Sequence, residues 1–178
     1  MSDIFKKTVD HLPEILVKNA SPMMLRMVAA MQQAIAADLQ MENASYCALV
    51  LKMTADNLAQ EFEGAVRESM AAIRRDSGKA QFSVSGFALA MEPMEAAASS
   101  LQADFQTSTA AFDRVCAKAG ALGAPAVGLY NKDVMLACVT EAFAKSRVEA
   151  TEAAKMLPFA RRALNDELLR LYAKLDAL

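Results

Sequence analysis

Between residues 94 and 119 the apolar side chains keep one rhythm. Met94, Ala98, Leu101, Phe105, Ser108, Phe112, Val115 and Ala119 alternate spacings of four and three without a break. That period is the seam of an α-helix packed on other helices, of heptad type. A strand would need a period of two.

The same rhythm recurs along most of the chain. Met23, Met27, Met31, Ile35 and Leu39 form a stripe broadened by Met24, Leu25 and Val28, with Arg26, Gln32, Gln33 and Asp38 off it. Leu51, Ala55, Leu58, Phe62, Ala65, Ser69 and Ile73 form another, as do Leu136, Val139, Phe143, Ser146, Ala150, Ala153 and Leu157. In the last segment Leu164, Leu168, Leu171, Leu175 and Leu178 face inward, and Glu167, Arg170 and Lys174 face water. Composition agrees. The chain is 54% hydrophobic but only 6% aromatic, with no Trp, 6 Gly and 5 Pro, so its apolar content rests on helix formers such as Ala, Leu and Met. A sheet protein would lean on β-branched and aromatic residues and on many turns.

Punctuation divides this pattern into six helical segments. The first covers about 2–18, with Pro13 kinking or restarting it. The second opens at Ser21-Pro22, a cap residue followed by Pro at the first helical position, and runs to about 40. The third covers 44–75 and stops at Asp76-Ser77-Gly78; Glu63 and Arg67 sit one turn apart and can pair. In residues 80–91 Phe82 and Val84 alternate with polar residues, a hint of a short strand, but a lone strand has no partner in this chain and the segment reads as a loop leading into a helix. The fourth helix covers 92–119 and ends at Gly120, Gly123 and Pro125. The fifth opens at Asn131, and Pro158 divides it from the sixth, which extends to 177. The expected fold is a single all-α domain over residues 1–178, an up-and-down helical bundle of about six helices.

Residues 80–131 carry only six charges, Glu92, Glu95, Asp104, Asp113, Arg114 and Lys118, of the 40 in the chain. A helix with so little charge suits cover on most sides, by its own bundle or by another subunit.

Several chemistries lack their residues. There is one His, so the common zinc arrangements are hard to build, and there is no paired Glu-x-x-His for a di-iron bundle. No C-x-x-C, H-E-x-x-H, G-x-S-x-G or Gly-rich phosphate loop occurs. His11 precedes Leu12-Pro13, which breaks the helix there, so it reads as a boundary residue and not a phosphotransfer histidine. Cys47, Cys116 and Cys138 fall inside helical patterns and read as small buried side chains in a reducing compartment. A net charge of -2 with the signs interspersed gives no concentrated basic footprint for nucleic acid. The charge-free runs 80–91 and 119–131 fall short of the ~18 residues of a membrane span. Residues 1–20 lack the uncharged core of a signal peptide, and the expected location is cytoplasmic. No catalytic, cofactor-binding or metal residue is expected.

What remains is contact. Met is present 12 times, and Met23, Met24, Met27 and Met31 crowd one helix. Flexible Met side chains suit either core filling or a surface that re-packs around a partner. Arg161-Arg162 lies near a helix N-terminus, where the dipole disfavours cations, which suggests contact with an acidic partner. The expected function is therefore non-enzymatic and exercised through protein–protein contacts, as a homo-oligomer, an adaptor, or a small component or chaperone of a larger bacterial assembly. Binding of a lipid or other apolar surface by amphipathic helices is the alternative. In that general outline the chain resembles phasins, which coat storage granules, without a motif that makes it a match. A small-ligand sensor with a pocket between helices is the third reading.

Overall fold

Pro13 sets the first boundary. In the computed structural model, which describes residues 2–76, 105–123 and 132–178, helix α1 (Ser2–Asp10) stops before it and α2 (Leu12–Ala37) begins just ahead of it. Pro13 thus occupies the first turn of α2, where its missing N–H costs nothing. The expected restart at Ser21-Pro22 does not occur, and α2 runs through Pro22. Pro22 is exposed, and so is Lys18, whose carbonyl loses its intrahelical donor, so water can take that bond. Ala20, Met23, Met24, Met27 and Met31 are all buried on one continuous face, which carries the helix across the proline.

Helix α3 (Ala44–Asp76) matches its expected bounds, and Leu51, Leu58, Phe62 and Ala65 of its stripe are buried. Helix α4 (Gln106–Ala121) buries Ser108, Val115 and Ala119, with Phe105 buried just ahead of its first turn. Gly123 takes a left-handed φ of 61° just beyond it, a conformation that suits glycine. The loop and helix expected over 80–104 and the cap at Asn131 lie outside the described residues.

The last two helices divide at a different place from the one expected. Helix α5 (Lys132–Lys145) stops at Ser146-Arg147, and α6 (Ala150–Asp176) runs through Pro158. No fully buried side chain lies between Ser146 and Met156, where only Val148 and Ala153 pack partly on the core. Arg147 reverses the chain at a φ of 58°. Pro158 and Ala154 are both exposed, so water can again take the bond that Pro158 forfeits.

Contacts fix the topology. Gln32 Nε2 donates to the Ala48 carbonyl at 3.3 Å at one end of the α2–α3 pair, so these helices are antiparallel neighbours joined by residues 38–43. Ser69 approaches Cys138 on α5, Arg26 of α2 meets Glu167 of α6, and α5 turns back into α6. Helices α2, α3, α5 and α6 thus form an up-and-down ring. Helix α4 packs outside it along α6 in the same direction, with Thr107 near Asn165, Phe112 against Tyr172 at 5.0 Å between ring centroids, and Arg114 paired to Asp176 at 2.9 Å. Helix α1 closes one end, its Phe5 ring beneath the Lys118 ammonium at 5.0 Å. Among the described residues the protein is an all-α bundle of six helices with no strand.

Two assignments of facing are corrected. Glu167 does not face water: it is 6% exposed and accepts hydrogen bonds from Arg26 Nε and Nη2 and from Arg170 Nη1. Leu25, expected to broaden the inner stripe, is exposed.

Candidate protein-contact surface

The α2–α3 connection is built from fixed turns. Helix α2 ends at Asp38, whose backbone is extended and whose N–H bonds back to the Ile35 carbonyl at 3.1 Å. Asp38 Oδ1 accepts from the Gln40 N–H at 2.9 Å, an Asx-type turn. Asn43 adopts a φ of 59°, which Asn tolerates, and its carbonyl takes the Cys47 N–H at 3.0 Å as α3 begins. Between these anchors Leu39 stands 98% exposed. The four-residue spacing from Ile35 places Leu39 on the inner stripe only if the helix continues, and α2 stops two residues earlier.

Behind Leu39 lies a groove of about 420 Å³. Met41, Pro158 and Phe159 supply its apolar surface, Asp38 and Glu42 one charged wall, and Lys155 and Arg162 the other. Met41 and Phe159 also pack on the core, which fixes the groove to the bundle.

Past the loop, Tyr46, Leu49 and Met53 follow at spacings of three and four on α3, and all three are more than half exposed. They form a second apolar stripe, away from the buried Cys47, Leu51 and Leu58. Four of the six large apolar side chains exposed among the described residues therefore lie between 39 and 53; the others are Ile4 and Leu25.

The expected contact residues separate. Met23, Met24, Met27 and Met31 are all at most 5% exposed and fill the core, so of the two readings of the Met stripe the structure shows core filling. Arg161 is buried, at 3% exposure, while its neighbour Arg162 is exposed on the groove wall.

The remaining reactive groups are held quiet. Cys47 Sγ donates to Glu152 Oε2 at 3.0 Å, and burial with that carboxylate pushes the thiol up to about 11. Burial likewise pushes Cys138 up to about 11. Both thiols stay protonated and enclosed, the opposite of an activated nucleophile. His11 is exposed at the α1–α2 break, its Nδ1 4.0 Å from Glu14. Among the described residues no group of three or more His, Cys, Asp or Glu side chains could hold a metal, and no helix is long and apolar enough to cross a membrane. A larger open groove of about 910 Å³ lies between the start of α2 and the end of α3, with Pro13, Val17, Met70 and Ala71 apolar and Glu14, Lys18, Glu63 and Arg67 charged.

The chain matches no model of a protein family, no curated protein and no solved structure.

Proposed function

We propose that the protein is a non-enzymatic helical bundle that acts through protein–protein contacts. The observation that carries this reading is the concentration of exposed apolar side chains in residues 39–53: Leu39, Tyr46, Leu49 and Met53. Each forgoes part of the roughly 1.5–3 kcal/mol that burial of such a side chain provides. The turns at Asp38 and Asn43 present Leu39 from fixed backbone, and helix α3 presents the other three on one face. Preorganised apolar groups of this kind lose little conformational entropy when a partner covers them.

The test is site-resolved cross-linking in cells that make the protein. A photoreactive phenylalanine analogue replaces Leu49 or Met53, and in a control it replaces Lys174, which is exposed on α6. The expected result is a protein adduct of discrete mass from the first two positions and none from the third. The reading fails if the first two positions yield only lipid adducts, or if Tyr46→Lys/Leu49→Lys leaves a cross-link at Met53 unchanged.

A further inference from the structure

We infer that the Leu39 end of the bundle docks onto the same end of a second copy of this chain. The inference rests on reading residues 39–53 as a contact surface, and it names the partner for one part of it.

Two features there complement each other but do not meet within one molecule. Leu39 is an apolar knob, 98% exposed. The groove of about 420 Å³ beside it offers Met41, Pro158 and Phe159, and Leu39, although it lies between the lining residues Asp38 and Gln40, does not line it. A twofold axis between two copies brings each knob to the other's groove, and an isologous contact satisfies both at once.

The charges select the same occupant. One wall of the groove carries Asp38 and Glu42, the other Lys155 and Arg162. Such a rim has no net charge, so neither a strongly acidic nor a strongly basic partner gains from it. A second copy turned through a half-rotation sets acidic wall on basic wall twice. Complementary walls of this kind steer encounter and fix register.

The experiment uses sedimentation velocity on the full chain across roughly 1–100 μM, a span that brackets ordinary reversible association. Three variants accompany the wild type. Leu39→Glu places a charge on the knob. Lys155→Glu/Arg162→Glu makes all four wall residues acidic. Asp38→Lys/Glu42→Lys makes them all basic. Far-UV circular dichroism checks that each remains folded, and Leu39→Ser replaces Leu39→Glu if that variant unfolds.

The expected result is a wild-type dimer whose dissociation constant Leu39→Glu raises about a hundredfold or more, since the knob enters the interface twice. Each wall-reversed variant is monomeric alone, and mixing the two restores a heterodimer. A wild type that stays monomeric throughout overturns the inference. So does a dimer indifferent to Leu39→Glu, or wall variants that fail to associate when mixed. Adducts at Leu49 and Met53 with a different protein would still stand in any of those cases, so loss of the dimer and loss of the contact reading are told apart.

Discussion

Replacing Arg26 by methionine is expected to destabilise the bundle more than replacing its partner Glu167 by leucine. Glu167 is the buried member of the pair, with a side chain 7% exposed, whereas the Arg26 side chain is 50% exposed. Arg26 donates from Nε to both carboxylate oxygens at 3.1 Å and from Nη2 at 2.6 Å. Arg170 adds one contact at 3.1 Å from the next turn of the same helix. With Arg26→Met the carboxylate stays in the α2–α6 interface with Arg170 alone. Stripping a buried charge of its partner costs about 3–5 kcal/mol, and the remaining Arg170 contact with the half-open site reduces this to roughly 1–3 kcal/mol. With Glu167→Leu the buried charge disappears, a side chain of similar size fills the space, and both guanidiniums reach water from where they stand. That change is expected to fall within about 1 kcal/mol of neutral. The double variant should resemble Glu167→Leu, giving a coupling energy of roughly 1–3 kcal/mol. Urea unfolding followed by far-UV circular dichroism measures all four corners of this cycle. A Glu167→Leu cost equal to or above that of Arg26→Met would refute the reasoning, because the pair would then be a net source of stability and not a compensated burial.

Other expectations follow from the same structure. The buried Cys47 and Cys138 should resist a thiol reagent at pH 8 until urea is added, with the half-buried Cys116 reacting first; equal rates for all three would contradict the packing. Stability should fall as pH rises from about 9 towards 11, because an unfolded thiol ionises near 8.5 while Cys138 holds its proton up to about 11. The unfolded state loses its proton first in that window, and the loss approaches about 3 kcal/mol for Cys138, read as a drop in the urea midpoint between pH 8 and 10.5. Met31→Ala, at a position with 0% exposure, should cost about 2–5 kcal/mol in the same assay, and a negligible cost would put Met31 outside the core. Pro158→Ala should raise the thermal midpoint, since it restores an N–H inside α6 at an exposed position and is worth roughly 1–3 kcal/mol; a lower midpoint would mean that Pro158 sits at a real break.

Much of the fold is legible in the sequence because helical packing writes a period into it. The seam through Phe105, Ser108, Val115 and Ala119 is buried as its spacing requires, and α3 keeps its expected limits. The misplaced boundaries share a cause. Pro22 and Pro158 carry a strong local stop signal, but each faces water and forfeits one solvated bond, while a continuous buried face holds the helix. The true turn at Arg147 has no local signal, since the left-handed residue there is neither Gly nor Asn. Its trace is the gap in buried residues between Ser146 and Met156, which periodicity alone does not expose. Glu167 eluded the pattern for a similar reason. Its burial depends on an Arg 141 residues away in sequence, a distance no local rule spans.

The exposed apolar surface was partly written in the chain as well. Tyr46, Leu49 and Met53 stand at spacings of three and four, offset from the inner stripe through Leu51 and Leu58, so α3 carries two apolar faces where a simple bundle helix needs one. Arg162 marks the groove through its doublet with Arg161, yet a doublet does not say which arginine faces out. That is settled by the angle at which α6 packs, which buries Arg161 and leaves Arg162 beside Lys155, two turns away on the same face. The groove itself arises only when the start of α6 meets the α2–α3 turn, that is, from topology. A polar residue at 39, whose side chain is 98% exposed, would leave the buried contacts of the bundle in place and improve its solubility. At these positions the fold covers about half of Tyr46 and Leu49, little of Met53 and almost none of Leu39, and the apolar area left open is what the proposed contact would bury.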